Sequence, residues 1–187
     1  MTKEFHHCGT KILETERLIL RPFRQEDAEA MFQNWASNPN VTKFLTWPVH
    51  QSAELTRLLL AEWEKTYEDP ATYHWAITLK SDGDVIGDIS VVRANDSVFS
   101  AELGWCMGEK WWGQGIKPEA ALAVHDYLFD RVGYRRLEAC HDKNNPKSGR
   151  VMQKIGMQYE GARRASGRNN QGICDLCLYG ILSEDRK

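Results

Sequence analysis

Trp111-Trp112-Gly113-Gln114-Gly115-Ile116-Lys117-Pro118-Glu119-Ala120 sets two glycines, one residue apart, directly before a run with helical periodicity. Just upstream, Ala101-Glu102-Leu103-Gly104-Trp105-Cys106-Met107 reads as a strand. A strand, a glycine turn and a helix start together make a seat for an anionic phosphate. Glycine lets the backbone come close and turn its N–H groups toward one point. The helix N-terminus adds unpaired donors and the positive end of the dipole. A Walker loop is excluded, because Ile116-Lys117-Pro118 stands where Lys-Ser/Thr is needed, and a dinucleotide fingerprint lacks its third glycine at Pro118.

The flanking chain predicts a mixed α/β architecture. Ile12–Arg21 has strand periodicity, with Leu18 and Leu20 on one face, and Pro22 ends it. Gln25–Ser37 carries a helical stripe of Ala28, Met31, Phe32 and Trp35, stopped at Asn38-Pro39-Asn40. Ser52–Tyr67 predicts a second helix with Leu55, Leu58, Leu59 and Trp63 on one face. Tyr73–Leu79 and Val85–Arg93 flank a hairpin turn at Ser81–Asp84, and Val98–Met107 is the next strand. Ile116–Arg131 is a helix burying Ala120, Ala121, Val124, Tyr127 and Leu128, with Pro118 tolerated in its first turn. Tyr134–His141 is a strand, Asn145–Ile155 a short helix, and Met157–Ala165 and Ile173–Leu182 are strands around Gly167–Asn170. This order predicts a mixed sheet with helices on both faces.

Composition narrows the function classes. The chain has 187 residues, which predicts one domain, with 1–11 expected to be a flexible terminus. Its net charge of −2, with acids and bases interspersed, argues against a nucleic-acid surface. No run approaches the ~18 apolar residues of a membrane span, and no signal peptide is legible at the start. A cytoplasmic location is expected, which five cysteines, an odd number, also fit.

Three separated motifs resemble one superfamily in the same order. Thr15-Glu16-Arg17-Leu18-Ile19-Leu20-Arg21-Pro22 resembles the opening strand of RimJ/RimL-like N-acetyltransferases of the GNAT superfamily. Trp112–Lys117 resembles the GNAT pyrophosphate loop, Gln/Arg-x-x-Gly-x-Gly/Ala, with Trp112 in place of Gln/Arg and Lys117 in place of a small residue. Asn145-Pro146-Lys147-Ser148 with Gly156-Met157 resembles a further segment of the same subfamily. The resemblance implies a GNAT fold: a mostly antiparallel mixed sheet with a splayed strand pair. It implies acetyl-coenzyme A as donor, a primary amine as acceptor, direct transfer and no metal.

It also implies site residues. Gly113, Gln114, Gly115, Ile116 and Lys117 would hold the pyrophosphate, and Cys106 and Met107 the pantetheine arm, with the Met107 N–H at the thioester oxygen. Asn145 and Ser148 would flank the arm. The tyrosine that many GNAT enzymes use to protonate the leaving thiolate aligns with Met152, so Ser148 becomes the candidate donor; the alternative is a backbone bond at the helix start. Glu102, on the splayed strand, is the candidate base for an amine of pKa about 10. RimL-like enzymes carry an acid that aligns with Gly167 here, and Glu160 and Asp175 are other candidates. Cys106 is read as an inert apolar side chain.

Other features have structural readings. Cys174 and Cys177, three apart on a strand, point to opposite faces and cannot share a metal. His125 reads as polar-side, His6-His7 as terminal, Trp47 as a loop aromatic open to substrate, and Arg163, Arg164 and Arg168 as a cluster facing coenzyme phosphate, an acidic partner or, by default, solvent. Expected partners are acetyl-coenzyme A and an amine on a protein N-terminus or a small molecule, without nucleic acid or membrane; a homodimer is compatible with the chain. The competing function is an acyl-coenzyme A sensor that binds without catalysis.

Overall fold

The structure, a computed structural model, describes residues 4–186. Its strands are β1 (Leu13–Glu14), β2 (Leu18–Arg21), β3 (His74–Leu79), β4 (Val85–Asn95), β5 (Ser100–Met107), β6 (Arg136–Asp142), β7 (Gln158–Asn169) and β8 (Gly172–Leu182). They form one sheet in the order β1-β2-β3-β4-β5-β6-β8-β7. Every neighbouring pair is antiparallel except β5 and β6. That parallel pair needs a crossover, which α4 (Ile116–Tyr127) supplies.

The parallel pairing is short. Ser100, Ala101 and Glu102 lie opposite Arg136, Leu137 and Glu138, and there it ends. Beyond that point β5 stays with β4 as far as Met107, and β6 stays with β8 as far as Asp142. The two strands therefore diverge into a V inside the sheet, as the resemblance implied.

Helices cover both faces, each over its own buried cluster. Leu18, Leu20, Trp75, Ile77, Leu103 and Met107 pack against α4 and α5 (Pro146–Lys154) on one face. Phe23, Met31, Trp35, Leu60, Ala76 and Cys106 pack on the other, beneath α1 (Ala28–Met31), α2 (Pro39–Thr42) and α3 (Ala53–Thr66). The predicted stripe of α4 is buried throughout, and the helix runs on in wider π turns to Val132.

Several expectations change. Ile12–Arg21 is a small hairpin, with Leu13 opposite Leu20, because the chain turns back between Glu14 and Leu18. On α3, Thr56 and Leu60 are the buried positions, while Leu55 and Leu58 are exposed; the helix is rotated away from its most apolar stripe. His125 is buried, edge-on to Phe129, because the C-terminal segment folds over it and sets Arg186 on the Phe129 ring. The expected flexible terminus is pinned from Phe5 onward: Phe5 packs on Tyr134 and Phe99, His6 N–H donates to Val132 O, and His7 Nδ1 lies 3.0 Å from the Tyr73 hydroxyl. Residues 1–3 lie outside the described residues. β7 continues through Gly167–Asn169, so the final turn is shorter than read.

Candidate active site

The glycine loop folds as its residues require. Gly113 and Gly115 have φ of +78° and +76°, in the left-handed region that side chains disfavour. Gly115 caps α4, so the first N–H groups of the helix point out of the turn unpaired. The loop is tied to the opening motif. Arg17 donates to Gln114 O (3.0 Å) and to Glu119 Oε2 (2.7 Å), and the Thr15 hydroxyl and Arg17 N–H both reach Glu119 Oε1. Burial pushes the Glu119 carboxyl up, but these hydrogen bonds and the guanidinium charge outweigh it and hold its pKa below the usual range.

A crevice of about 890 Å³ opens from this loop into the V. Cys106 and Met107 of β5, Gly113, Gly115, Ile116 and Lys117 of the loop, and Asn145 and Ser148 at the start of α5 all line it. The expected donor residues thus meet in one cavity, except Gln114. Gln114 is exposed and turned away, its amide donating to Lys110 O. Gly108 N–H donates to Ile86 O (2.9 Å) across the β4–β5 register. Amide direction alternates along a strand, so the N–H groups of Met107 and Trp105, beyond the last paired residues Glu102 and Glu138, turn toward the gap. The Met107 carbonyl faces the same way and accepts from the Trp112 indole (2.7 Å).

Asn145 and Ser148 sit where β6 ends and α5 begins. Asn145 N–H donates to Asp142 O (2.7 Å), and Ser148 N–H to Asn145 O (3.1 Å). Among the described residues, neither side chain has a hydrogen-bond partner, so the Ser148 hydroxyl does not cap its helix. The Cys106 thiol donates to Asp88 Oδ1 (2.8 Å), whose other oxygen lies 3.0 Å from His74 Nε2. Burial, with Asp88 beside it, holds that thiol well above its ordinary range.

The carboxylates considered as bases are occupied elsewhere. Glu102 is at the closed end of the V, bonded by Arg93 (2.6 Å) and Cys140 (3.2 Å). Glu160 pairs with Arg136, and Asp175 accepts the Ala165 N–H. Glu109 is the one carboxylate among the lining residues. Arg163, Arg164 and Arg168 are on β7 and do not line the crevice. Its basic residues are Lys43, Lys117, Lys147, Arg150 and Lys154, and Lys147 Nζ sits 4.8 Å from the Trp112 ring centre. The helical spacing of Lys147, Arg150 and Lys154 was a signal for this rim that sequence reasoning missed.

On the α1–α3 face a bridge crosses the open end of the V. Asn170, in the β7–β8 turn, donates from Nδ2 to Thr42 O and Trp47 O (2.8 Å each), and its N–H to Leu45 O (3.1 Å). Asn169 ties the same turn to Asp142 at the end of β6 (2.7 Å). Trp47, read as open to substrate, is half-buried against the cluster on this face. Cys174 and Cys177 alternate to opposite sides of β8. No group of metal-ligating side chains is present among the described residues.

Residues 17–158 match the family described as Acetyltransferase (GNAT) domain. An uncharacterized N-acetyltransferase, YoaA, of Bacillus subtilis (strain 168) is 30% identical over 171 residues, covering 91% of this chain and 96% of its own. A [ribosomal protein uS5]-alanine N-acetyltransferase of Escherichia coli (strain K12) is 25% identical over 157 residues, covering 80% and 79%. Among solved structures, a GNAT-family acetyltransferase from Bacillus anthracis superposes with a TM-score of 0.81 at 27% identity, covering 93% of this chain and 99% of that one.

Proposed function

The chain belongs to the GNAT acetyltransferase family and is an acetyl-coenzyme A-dependent N-acetyltransferase, and we propose that its acceptor is the free N-terminal amine of a protein. The observation that carries this reading is the Asn170 bridge. It roofs the acceptor side of the V, so an amine reaches the crevice end-on, as the tip of a chain can. The relative named for uS5-alanine acetylation supports the same acceptor class.

The crevice suits the donor. The N–H groups at Gly113, Gly115, Ile116 and Lys117 offer donors to a diphosphate, and Pro118 offers none. The N–H groups facing the gap on β5 are free to pair with an extended amide-bearing arm, with Met107 aimed at the thioester oxygen. The lysine and arginine rim matches the remaining phosphate charge. The unpartnered Ser148 hydroxyl is positioned to give a proton to the departing thiolate. Deprotonation of the amine falls to water, since Glu102, Glu160 and Asp175 are engaged outside the crevice and Glu109, at its wall, accepts from the Asn38 and Asn40 amides.

The test is an acceptor panel of free N-terminal peptides, N-terminally blocked lysine peptides, polyamines, amino acids and aminoglycosides, read by coenzyme A release. The expected result is turnover of the free N-terminal peptides. Turnover confined to small amines would replace this acceptor. Tight acetyl-coenzyme A binding with no turnover would favour a sensor.

A further inference from the structure

We propose that Lys117 is a self-acetylation site, its ε-amine accepting an acetyl group from acetyl-coenzyme A held in the crevice. The proposal rests on the reading of this crevice as the donor site. Lys117 stands in the second helical position of α4, where the motif it resembles has a small residue. Its side chain therefore enters space that the motif keeps clear, and it lines the crevice together with Cys106 and Met107. The groups acting on its ammonium are the Cys106 thiol and the Asp88 carboxylate that this thiol donates to. Burial lowers its pKa, the two neighbours only partly restore it, and the neutral nucleophilic form is correspondingly enriched. A primary amine and a thioester sharing one cavity gain the proximity that accelerates acyl transfer.

The step balances without another reagent. The ammonium first releases one proton to solvent. The neutral amine nitrogen of Lys117 then attacks the thioester carbonyl carbon. A C–N bond forms, the C–S bond breaks, and the proton lost from nitrogen passes to the thiolate. The products are an Nε-acetyl-lysine and free coenzyme A. The modified side chain has lost its charge and gained volume inside the donor crevice, so the modification opposes a second round of donor binding.

The sequence makes the test direct. Trypsin does not cut the Lys117–Pro118 bond, so Lys117 is the only lysine in the peptide Trp111–Arg131. Full-length protein is incubated with acetyl-coenzyme A and no acceptor, digested and examined by mass spectrometry, with donor binding measured on the same sample by calorimetry. The expected result is one added acetyl group on this peptide, appearing ahead of modification at Lys43, Lys147 and Lys154. That preference should vanish when the protein is unfolded in urea before exposure. Bound donor with an unmodified Lys117 overturns the proposal and leaves the donor site standing. Absence of donor binding overturns both. Modification no faster than at the other three lysines marks chemical acetylation and also overturns it.

Discussion

Ser148 and Glu102 were read from the same resemblance, and their surroundings separate them. Ser148 lines the crevice with a hydroxyl that has no partner among the described residues, whereas both oxygens of Glu102 are bound, by Arg93 and Cys140. Ser148→Ala is expected to lower kcat about 100-fold, the lower range for a lost general acid, with little change in the acetyl-coenzyme A KM. Steady-state kinetics on an active acceptor decide it, and an unchanged kcat removes the role. The residue types of the donor half were legible because backbone geometry demands them: glycines at positive φ, and a short polar turn between β6 and α5. The hydrogen bonds that hold Glu102 at the closed end of the V were not legible. They join β4, β5 and β6, and one sequence does not print which carboxylate meets which arginine.

At the scale of elements, α5 is seated directly on β6 through Gly149. A Cβ at Gly149 would lie 2.6 Å from His141 Nε2. That ring cannot step aside easily, since it is buried, leans on Tyr179 and has its Nδ1 2.7 Å from Asp142 O. Gly149→Ala is therefore expected to destabilise the fold by about 1–3 kcal/mol, seen as a lower denaturant midpoint with unchanged slope. Because Ser148 precedes it, activity should fall as well. Most element types were readable, α4 most fully, because its apolar spacing and its burial coincide. α3 shows the limit. Leu55 and Leu58 continue its apolar pattern yet face solvent, because the helix turns Thr56 and Leu60 inward instead. Periodicity finds a helix but fixes its rotation only when the neighbour is known.

Across the whole molecule, long-range closures were the least legible part. The N-terminal segment docks on Tyr73 and Tyr134, the C-terminal segment covers His125, and Asn170 reaches the α2–α3 loop. These closures give the fold a stepped response to acid. Burial lowers the pKa of His125 and of His50 below the free value of 6.5. A depressed folded pKa means the unfolded chain binds more protons, so their contribution is complete above 6.5 and is lost as pH falls toward the folded values. Glu119 and Glu160 are depressed below 4.5, so their contribution is present above 4.5 and is lost on further acidification through their folded values. Thermal melts from about pH 8 to about pH 2 should show Tm falling in two stages, and His125→Gln should shrink the upper one. A single fall confined to the lower stage would count against the histidine contribution. The V has a consequence of another kind. It leaves a bare strand edge in the interior of the sheet, a place in the hydrogen-bonded order that the chain itself never fills. The folded protein is complete only in company. A donor present at a hundred times its Kd adds about 2.7 kcal/mol to stability. The survival of this chain in a cell, and not just its turnover, thus becomes a reading of how much activated acetate is at hand.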